Sequence, residues 1–393
     1  SSFGLRWSFL RWCNLGTCTR SISFCSASSS CRMIEVVEQA VGAGGEVGLV
    51  LYEVATLVWV GSEAQERMSQ SIAAEAAMLH DDELPVYTVL VPMFREPEVL
   101  PILAQALRNL DYPLAKLDIK IVLEEGDHET IDAARKLDLE GVFEIIRVPA
   151  SHPQTKPKAC NFALRYAQGD FLVIFDAEDK PEPDQLKKVI AAFNQSAPNT
   201  ACIQCRLNYY NARENWLTRM FTLDYSLWFD LMLPGLERLG VPIPLGGTSN
   251  HFRMDVLREL NAWDPFNVTE DADLGIRLTQ KGYRVGVIDS TTFEEANVSI
   301  PNWVRQRSRW IKGYMQTFLV HSRRPIHLWQ SVGSAGVFGF IFFILNPQFR
   351  PSFSEWNFSH TTTCEFILDK TINIRHFQSR FQRHQFGNLF AGF

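Results

Sequence analysis

Three short charged runs in this chain carry residue types that do chemistry. Asp176-Ala177-Glu178-Asp179 closes an apolar stretch, Phe171 to Phe175. Thr269-Glu270-Asp271 lies in Trp263 to Leu274, a segment with four carboxylates and little apolar cover. Gln306-Arg307-Ser308-Arg309-Trp310 follows some way behind. Asp176 and Glu178 stand two residues apart at an expected strand-to-turn bend, where one carboxylate can face a nucleotide and the other a divalent metal acting as Lewis acid on phosphate oxygens. The same run read more simply is a solvated acidic turn. Thr269-Glu270-Asp271 suits a carboxylate general base for a hydroxyl nucleophile, or a helix cap with an acidic first turn. Gln306 and Trp310 share a helix face at i and i+4, with Arg309 beside them. A guanidinium suits phosphate oxygens, and an indole offers a flat surface to a sugar or acceptor ring. The simpler reading there is an amphipathic helix at an interface, with Arg305, Arg307 and Lys312 as its basic side. Lys158, opening a helix, is a further candidate for a phosphate contact.

These runs need a frame to bring them together. Strand signals recur at Val86 to Val91, Leu117 to Leu123, Val142 to Val148 and Phe171 to Phe175. Helical stretches fall between and after them, at Glu98 to Leu110, Thr130 to Leu137, Lys158 to Ala167 and Pro183 to Phe193. Such alternation predicts an α/β fold with a mostly parallel sheet covered by helices on both faces. Ligands on such sheets bind beyond the carboxyl ends of the strands. Glu124-Glu125 and the Asp176 run both fall there. The second half is less regular, with an aromatic helix from Glu214 to Leu233, the turn-rich Pro244 to Asn250, and a helix from Trp303 to Val320.

Over 393 residues with a net charge of −6 there is room for a sizeable core, and a nucleic-acid surface is not expected. Eight cysteines are too sparse for a disulfide scaffold and suggest a reducing compartment. Cys202-Ile203-Gln204-Cys205 lies in a strand-like run and reads as structural. Residues 1 to about 33 show no signal-peptide pattern and read as poorly ordered. Val47 to Val60 is apolar except for Glu53, too short for a clear span, and the glycines between Gly42 and Gly48 miss the dinucleotide-loop spacing. Leu328 to Leu345 has no charged residue and is long enough to suggest a membrane span. Its basic neighbours Arg323 and Arg324 favour a cytoplasmic catalytic domain.

Taken in order, these pieces resemble a family 2 glycosyltransferase related to the cellulose, hyaluronan and β-glucan synthases, and within it a bacterial membrane β-glycosyltransferase subgroup. The resemblance runs from about Leu84 to about Arg324 and includes Val91-Pro92-Met93-Phe94-Arg95-Glu96, Leu245-Gly246-Gly247-Thr248-Ser249-Asn250 and Thr269-Glu270-Asp271-Ala272-Asp273-Leu274-Gly275. It implies a GT-A nucleotide-binding fold and an inverting transfer from a nucleotide-diphosphate donor, a UDP-sugar first, to a polysaccharide or glycolipid with a β-linkage. It implies Mg²⁺ or Mn²⁺ as cofactor, a membrane as partner and the bacterial inner membrane as location. Carried over by residue, Pro92, Arg95 and Glu96 line the nucleoside pocket, and Glu124 or Glu125 contacts base or ribose where the family usually has Asp. Lys158 touches the diphosphate, Asp176 the nucleotide, and Glu178 is the metal ligand. Asp271 is the base, in a run with Thr269 and Glu270, while Gln306, Arg309 and Trp310 hold diphosphate and acceptor. The expected organisation is an atypical region 1–83, a catalytic domain 84–324, a membrane segment 325–347 and an atypical tail 348–393. Both ends read unlike the family, as in a truncated product. That leaves two alternatives to an active transferase: a nucleotide-sugar-binding relic and a soluble nucleotidyltransferase.

Overall fold

The computed structural model describes residues 65–137 and 143–345, all within Val60–Trp356, one of two units into which the chain divides. The expectations for the start of the chain, for Gly42 to Gly48, for Val47 to Val60 and for the 348–393 tail lie outside the described residues. Helix α1, residues 65–78, was not singled out in the region 1–83. Its signal is the i, i+4 pair Ile72 and Ala76, both buried in the main core.

The first half alternates strand and helix. It runs β1 (Tyr87–Met93), α2 (Leu100–Arg108), β2 (Leu117–Glu124), α3 (His128–Lys136), β3 (Glu144–Val148), α4 (Lys156–Ala163) and β4 (Phe171–Ile174). The short β5 (Lys180–Pro181) and helix α5 (Gln185–Gln195) complete it. β1 is YTVLVPM, β-branched and apolar, and nearly every position is buried, as a strand covered on both faces requires. In α2 the buried residues Leu100, Leu103, Ala104 and Leu107 form one stripe. That stripe packs with α1, with Leu186 and Val189 of α5, and with Val89, Ile121 and Val173 of the sheet.

The second half contains three strands of the same sheet. β6 (Thr200–Tyr209), β7 (Asn250–Arg253) and β8 (Arg284–Glu294) are separated by α6 (Trp216–Tyr225), a π-helical turn Ser226–Met232, α7 (Leu233–Leu239), α8 (Met254–Glu259) and α9 (Glu270–Gln280). The long helix expected over Glu214 to Leu233 is present as a continuous helical run from Trp216 to Leu239, with a π-helical stretch at Ser226–Met232 inside it. The sheet order is β3-β2-β1-β4-β7-β6-β8-β5. β1, β2, β3 and β4 run parallel, as does β6 with β8, but β7 is antiparallel to both its neighbours and β5 to β8. The sheet is therefore mixed, with four parallel pairings and three antiparallel ones made by β7 and β5, and the parallel alternation expected of the first half is present. The four-residue β7 lies in Pro244 to Arg253, which is short, turn-rich and lacks alternation, so its pairing is set by its neighbours and not by local pattern.

Two helices close the described chain, α10 (Ile300–His321) and α11 (Pro325–Leu345). Among the described residues no helix is long and apolar enough to cross a membrane, so the span expected at 325–347 is not found there. α11 is two helices merged across Gly333, whose φ of 70° breaks the helical path. Its Leu328 and Phe340 pack with Ile276 of α9, and Phe340 stacks on Phe318 of α10.

Candidate active site

The carboxyl ends of the parallel strands carry the first group of candidates. Pro92 is the penultimate residue of β1, paired with Val122 of β2. Beyond it Arg95 takes a positive φ of 58°, uncommon for a side chain of its size. Its amide donates to Asp127 Oδ2 at 2.6 Å, and the Glu96 amide to Thr130 Oγ1 at 3.2 Å. Asp127 Oδ1 accepts from the Thr130 amide and so caps α3 with its other oxygen. Asp127 therefore fixes the β1 turn and the α3 terminus together. Sequence reading missed it, although its signal was an Asp ahead of a helical run.

Two lysines open α4, and their places differ from expectation. Lys158 Nζ lies 2.9 and 3.0 Å from the two carboxylate oxygens of Glu124 and also donates to the Pro149 carbonyl. Glu124 is thereby engaged at the strand end, while Glu125 is exposed. It is Lys156, not Lys158, that enters the acidic centre. Its Nζ is 2.5 Å from Asp176 Oδ1 and donates to the Gly247 carbonyl at 2.9 Å. Burial works against its charge, but Asp176, Asp271 and Glu270 outweigh that and raise its pKa. The signal for Lys156 was weak, a second lysine two residues from the first.

The turn after β4 is tied by Asp179, which is buried and accepts from the Asp176 amide at 2.7 Å and from the Thr248 hydroxyl. Glu178 points into a group of like charges. Burial first, then Asp176, Glu96 and Glu295, push its carboxyl up to about 7. Glu294 at the end of β8 is held well above the usual carboxylate range by burial and by Asp179, Asp176 and Glu178. The oxygen-only donors Asp176 and Glu178 fit a hard divalent cation. Among the described residues no three His, Cys, Asp or Glu side chains are grouped to hold a metal by themselves. Further ligands would come from phosphate and water, as is usual for such ions on carboxylates and substrate phosphates.

The second cluster reaches the same place from the other side. Glu270 and Asp271 are not merely a prelude to a helix but form the first turn of α9, both buried. A Cβ placed on Gly247 would lie 3.9 Å from Asp271 Oδ2, so the glycine keeps open the space beside that carboxylate. Burial and the neighbouring Glu270 hold the Asp271 carboxyl well above its ordinary value, with Lys156 opposing them. The Trp263 to Thr269 segment is strapped to α4, since Asn161 donates to the Trp263 carbonyl at 2.6 Å and accepts from its amide, and the Thr155 hydroxyl donates to the Pro265 carbonyl. It is strapped to α10 by Asn267, which donates to Thr317 Oγ1 at 2.8 Å. Gly313 of α10 lies so close that a Cβ there would be 2.5 Å from Thr269 Cγ2 and 2.9 Å from its amide. Further along, Asp273 is bound by His321 at 2.8 Å and Arg277 at 2.7 Å. Burial would raise its carboxyl, but those two partners hold it below the usual range.

On α10 the Gln306 carbonyl accepts from Asn297 at 3.3 Å, Arg309 is exposed, and its charge is felt by Glu270. Trp310 is half-buried. Arg307, read from sequence as one of a basic surface set, is instead buried. It pairs with Asp224 of α6 at 2.9 Å and its guanidinium stacks 4.8 Å from the Trp310 ring and 5.1 Å from Phe221. The structure thus brings Asp176, Glu178, Glu270 and Asp271 to one acidic centre around Lys156. It places Lys158 and Glu124 on each other.

Comparison with known proteins follows the same lines. The chain is similar to beta-monoglucosyldiacylglycerol synthase of Trichormus variabilis, 27% identical over 241 residues, covering 60% of this chain and 50% of that protein. It is 26% identical to the probable glycosyltransferase YdaM of Bacillus subtilis, over 59% of this chain and 56% of that one. Glucomannan 4-beta-mannosyltransferase 2 of Arabidopsis thaliana is 25% identical over 65% and 51%. The chain thus spans about half the length of the curated relatives it matches. Its fold is shared with the mannosyltransferase PcManGT from Pyrobaculum calidifontis, solved in complex with GDP-Man and Mn²⁺, at a TM-score of 0.53 and 18% identity, covering 79% of this chain and 87% of that one. Residues 171–388, more than half of the chain, match the family described as Glycosyl transferase family group 2. With the α/β frame, the strand-end carboxylates and this match, the chain belongs to the family 2 group of glycosyltransferases.

Proposed function

We propose that the protein is an inverting hexosyltransferase that moves a sugar from a nucleotide-diphosphate donor, a UDP-sugar first, to a glycan or glycolipid hydroxyl with a β-linkage. The observation that carries the reading is the shared centre: Lys156 Nζ binds Asp176 Oδ1 and the carbonyl of Gly247, and that glycine lies against Asp271 of the second carboxylate run. In this reading Asp271 takes the proton from the acceptor hydroxyl as the new bond forms. Burial and Glu270 raise its affinity for a proton, the direction that role needs. Asp176 and Glu178 would hold Mg²⁺ or Mn²⁺, which when bound offsets the charge growing on the departing diphosphate. The exposed Arg309 of α10 offers a guanidinium to the same phosphates, and Trp310 offers its ring to the acceptor. Pro92 near the end of β1, and Arg95 and Glu96 on the turn held by Asp127 and Thr130, line the nucleoside side.

We also propose that the protein works at a membrane, with this domain on the cytoplasmic face of the bacterial inner membrane. α10 and α11 present exposed Met315, Leu319, Ile326 and Trp329 beside the exposed cations Lys312, Arg323 and Arg324. That pairing of apolar and basic side chains suits an anionic lipid surface.

The test is a donor panel. Membranes carrying the protein are given UDP-glucose, UDP-N-acetylglucosamine or GDP-mannose with Mn²⁺, and nucleoside-diphosphate release is measured. Release with one donor that chelation abolishes supports the reading. Binding of nucleotide without release from any donor would favour the relic instead, and nucleotidyl transfer to a sugar phosphate would favour the nucleotidyltransferase.

A further inference from the structure

We infer that Lys156 is a positioning residue that occupies Asp176 when no donor is bound, competes there with the divalent metal, and so couples metal uptake to arrival of the nucleotide diphosphate. The inference rests on the metal-dependent reading above. Lys156 is the first residue of α4, and Pro157 behind it is buried and sets the helical path. Thr155 and Asn161 anchor that end of α4 to the Trp263 to Pro265 segment. The ammonium is therefore delivered from a fixed base rather than from a surface loop. It meets Asp176 Oδ1 at 2.5 Å and the Gly247 carbonyl at 2.9 Å, between the metal-side and base-side carboxylates.

Asp176 is presented to either cation from an anchored main chain. Its amide is held by Asp179, which is itself buried and bound by Thr248. A divalent ion taking the same oxygen would sit beside a unit positive charge, and the two repel. A bound diphosphate changes this balance. Its negative oxygens give the Lys156 ammonium another partner as it leaves Asp176, and they supply ligands to the ion that replaces it. Lys158 cannot substitute, because its ammonium is engaged by both oxygens of Glu124.

The test is Mn²⁺ binding to the full chain, followed by electron paramagnetic resonance, with and without UDP, for wild type, Lys156→Met, Lys156→Gln and Lys156→Arg. Thermal unfolding checks that each variant is folded. Without UDP, the Met and Gln variants are expected to bind Mn²⁺ about tenfold more tightly than wild type, a conservative figure for removing one charge beside a divalent ion at an effective dielectric constant of about 20. The enhancement of Mn²⁺ affinity by UDP should shrink in both, and the Arg variant should stay near wild type. Folded Met and Gln variants that bind Mn²⁺ no more tightly than wild type would overturn the inference, as would an Arg variant that behaves like them. Wild-type protein that binds no Mn²⁺ even with UDP would instead overturn the metal-dependent reading itself, and the inference with it.

Discussion

Replacing Gly313 by alanine separates two effects of opposite sign. Gly313 lies inside the 22-residue helix α10, where glycine is about 1 kcal/mol worse than alanine, so helix propensity alone predicts stabilisation. Packing predicts the reverse. The new Cβ would lie 2.5 Å from Thr269 Cγ2, 2.8 Å from its hydroxyl and 2.9 Å from its amide. Contacts that short require a shift of roughly 1 Å, since carbon atoms settle at about 3.5–4.0 Å. Overpacking of this kind costs about 1–3 kcal/mol, so the net change is a destabilisation of up to about 2 kcal/mol. Thr269 immediately precedes the helix whose first turn holds Asp271, and a displacement near 1 Å at the chemistry costs on the order of 10²-fold in rate. The expected result in a steady-state release assay is a fall in kcat of about that size with little change in donor KM, and a lowered Tm. Thr269→Ser on the same background should recover part of the rate by removing Cγ2, but not all, because the amide contact remains. A Gly313→Ala variant with unchanged kcat and a raised Tm would refute the reasoning.

Three further outcomes follow from the geometry. Asp224→Asn strands the buried Arg307 guanidinium, and breaking a buried pair costs about 3–5 kcal/mol; thermal unfolding should show the loss, and acceptor KM should rise more than donor KM because Arg307 stacks on Trp310. Burial holds Glu237 up to about 7 despite a hydrogen bond from the Val287 amide at 3.1 Å. The folded protein therefore binds a proton there that the unfolded chain releases near 4.5, so this contribution is complete below that pH and is lost as pH rises through about 7. Glu237→Gln should flatten that fall and leave the variant more stable at pH 8, by up to about 3 kcal/mol in chemical denaturation. His251 is the opposite case: burial lowers its pKa to about 3, so the neutral ring hydrogen-bonded to Tyr87 contributes stability above its ordinary value of 6.5 that is lost as pH falls towards 3. Denaturation midpoints of His251→Gln should fall less between pH 6.5 and 4.5 than those of wild type.

The parts of this molecule legible in sequence are those where local pattern and tertiary role coincide. β1 and β4 are buried on both faces and read as continuous apolar runs, β2 is apolar from Ile121 to Leu123, and the strand ends mark where Asp176 and Glu124 fall. The Thr269-Glu270-Asp271 run was visible because carboxylates so close together with little apolar cover need a reason. β7 was not legible, because a four-residue strand in a turn-rich loop pairs only through neighbours supplied by β4 and β6. Lys156 and Lys158 differ by one helical direction, and nothing local says which faces Asp176 and which faces Glu124. Arg307 looked like a surface cation because its carboxylate partner, Asp224, lies on another helix. The apolar stretch ending at Leu345 read as a possible span by length alone, while Gly333 and the packing of Leu328 and Phe340 are properties of the folded chain.

The most direct measurement compares wild type with Asp271→Asn in single-turnover transfer from the donor that the panel selects, with UDP or GDP binding measured in parallel. The substitution removes a base and almost no volume, and general-base catalysis contributes about 10²–10⁴-fold. The account expects transfer to fall by that much while nucleotide binding stays within about twofold, with a β-linked product from the wild type. An Asp271→Asn variant that transfers at the wild-type rate, or one that loses nucleotide binding and transfer together, would contradict it.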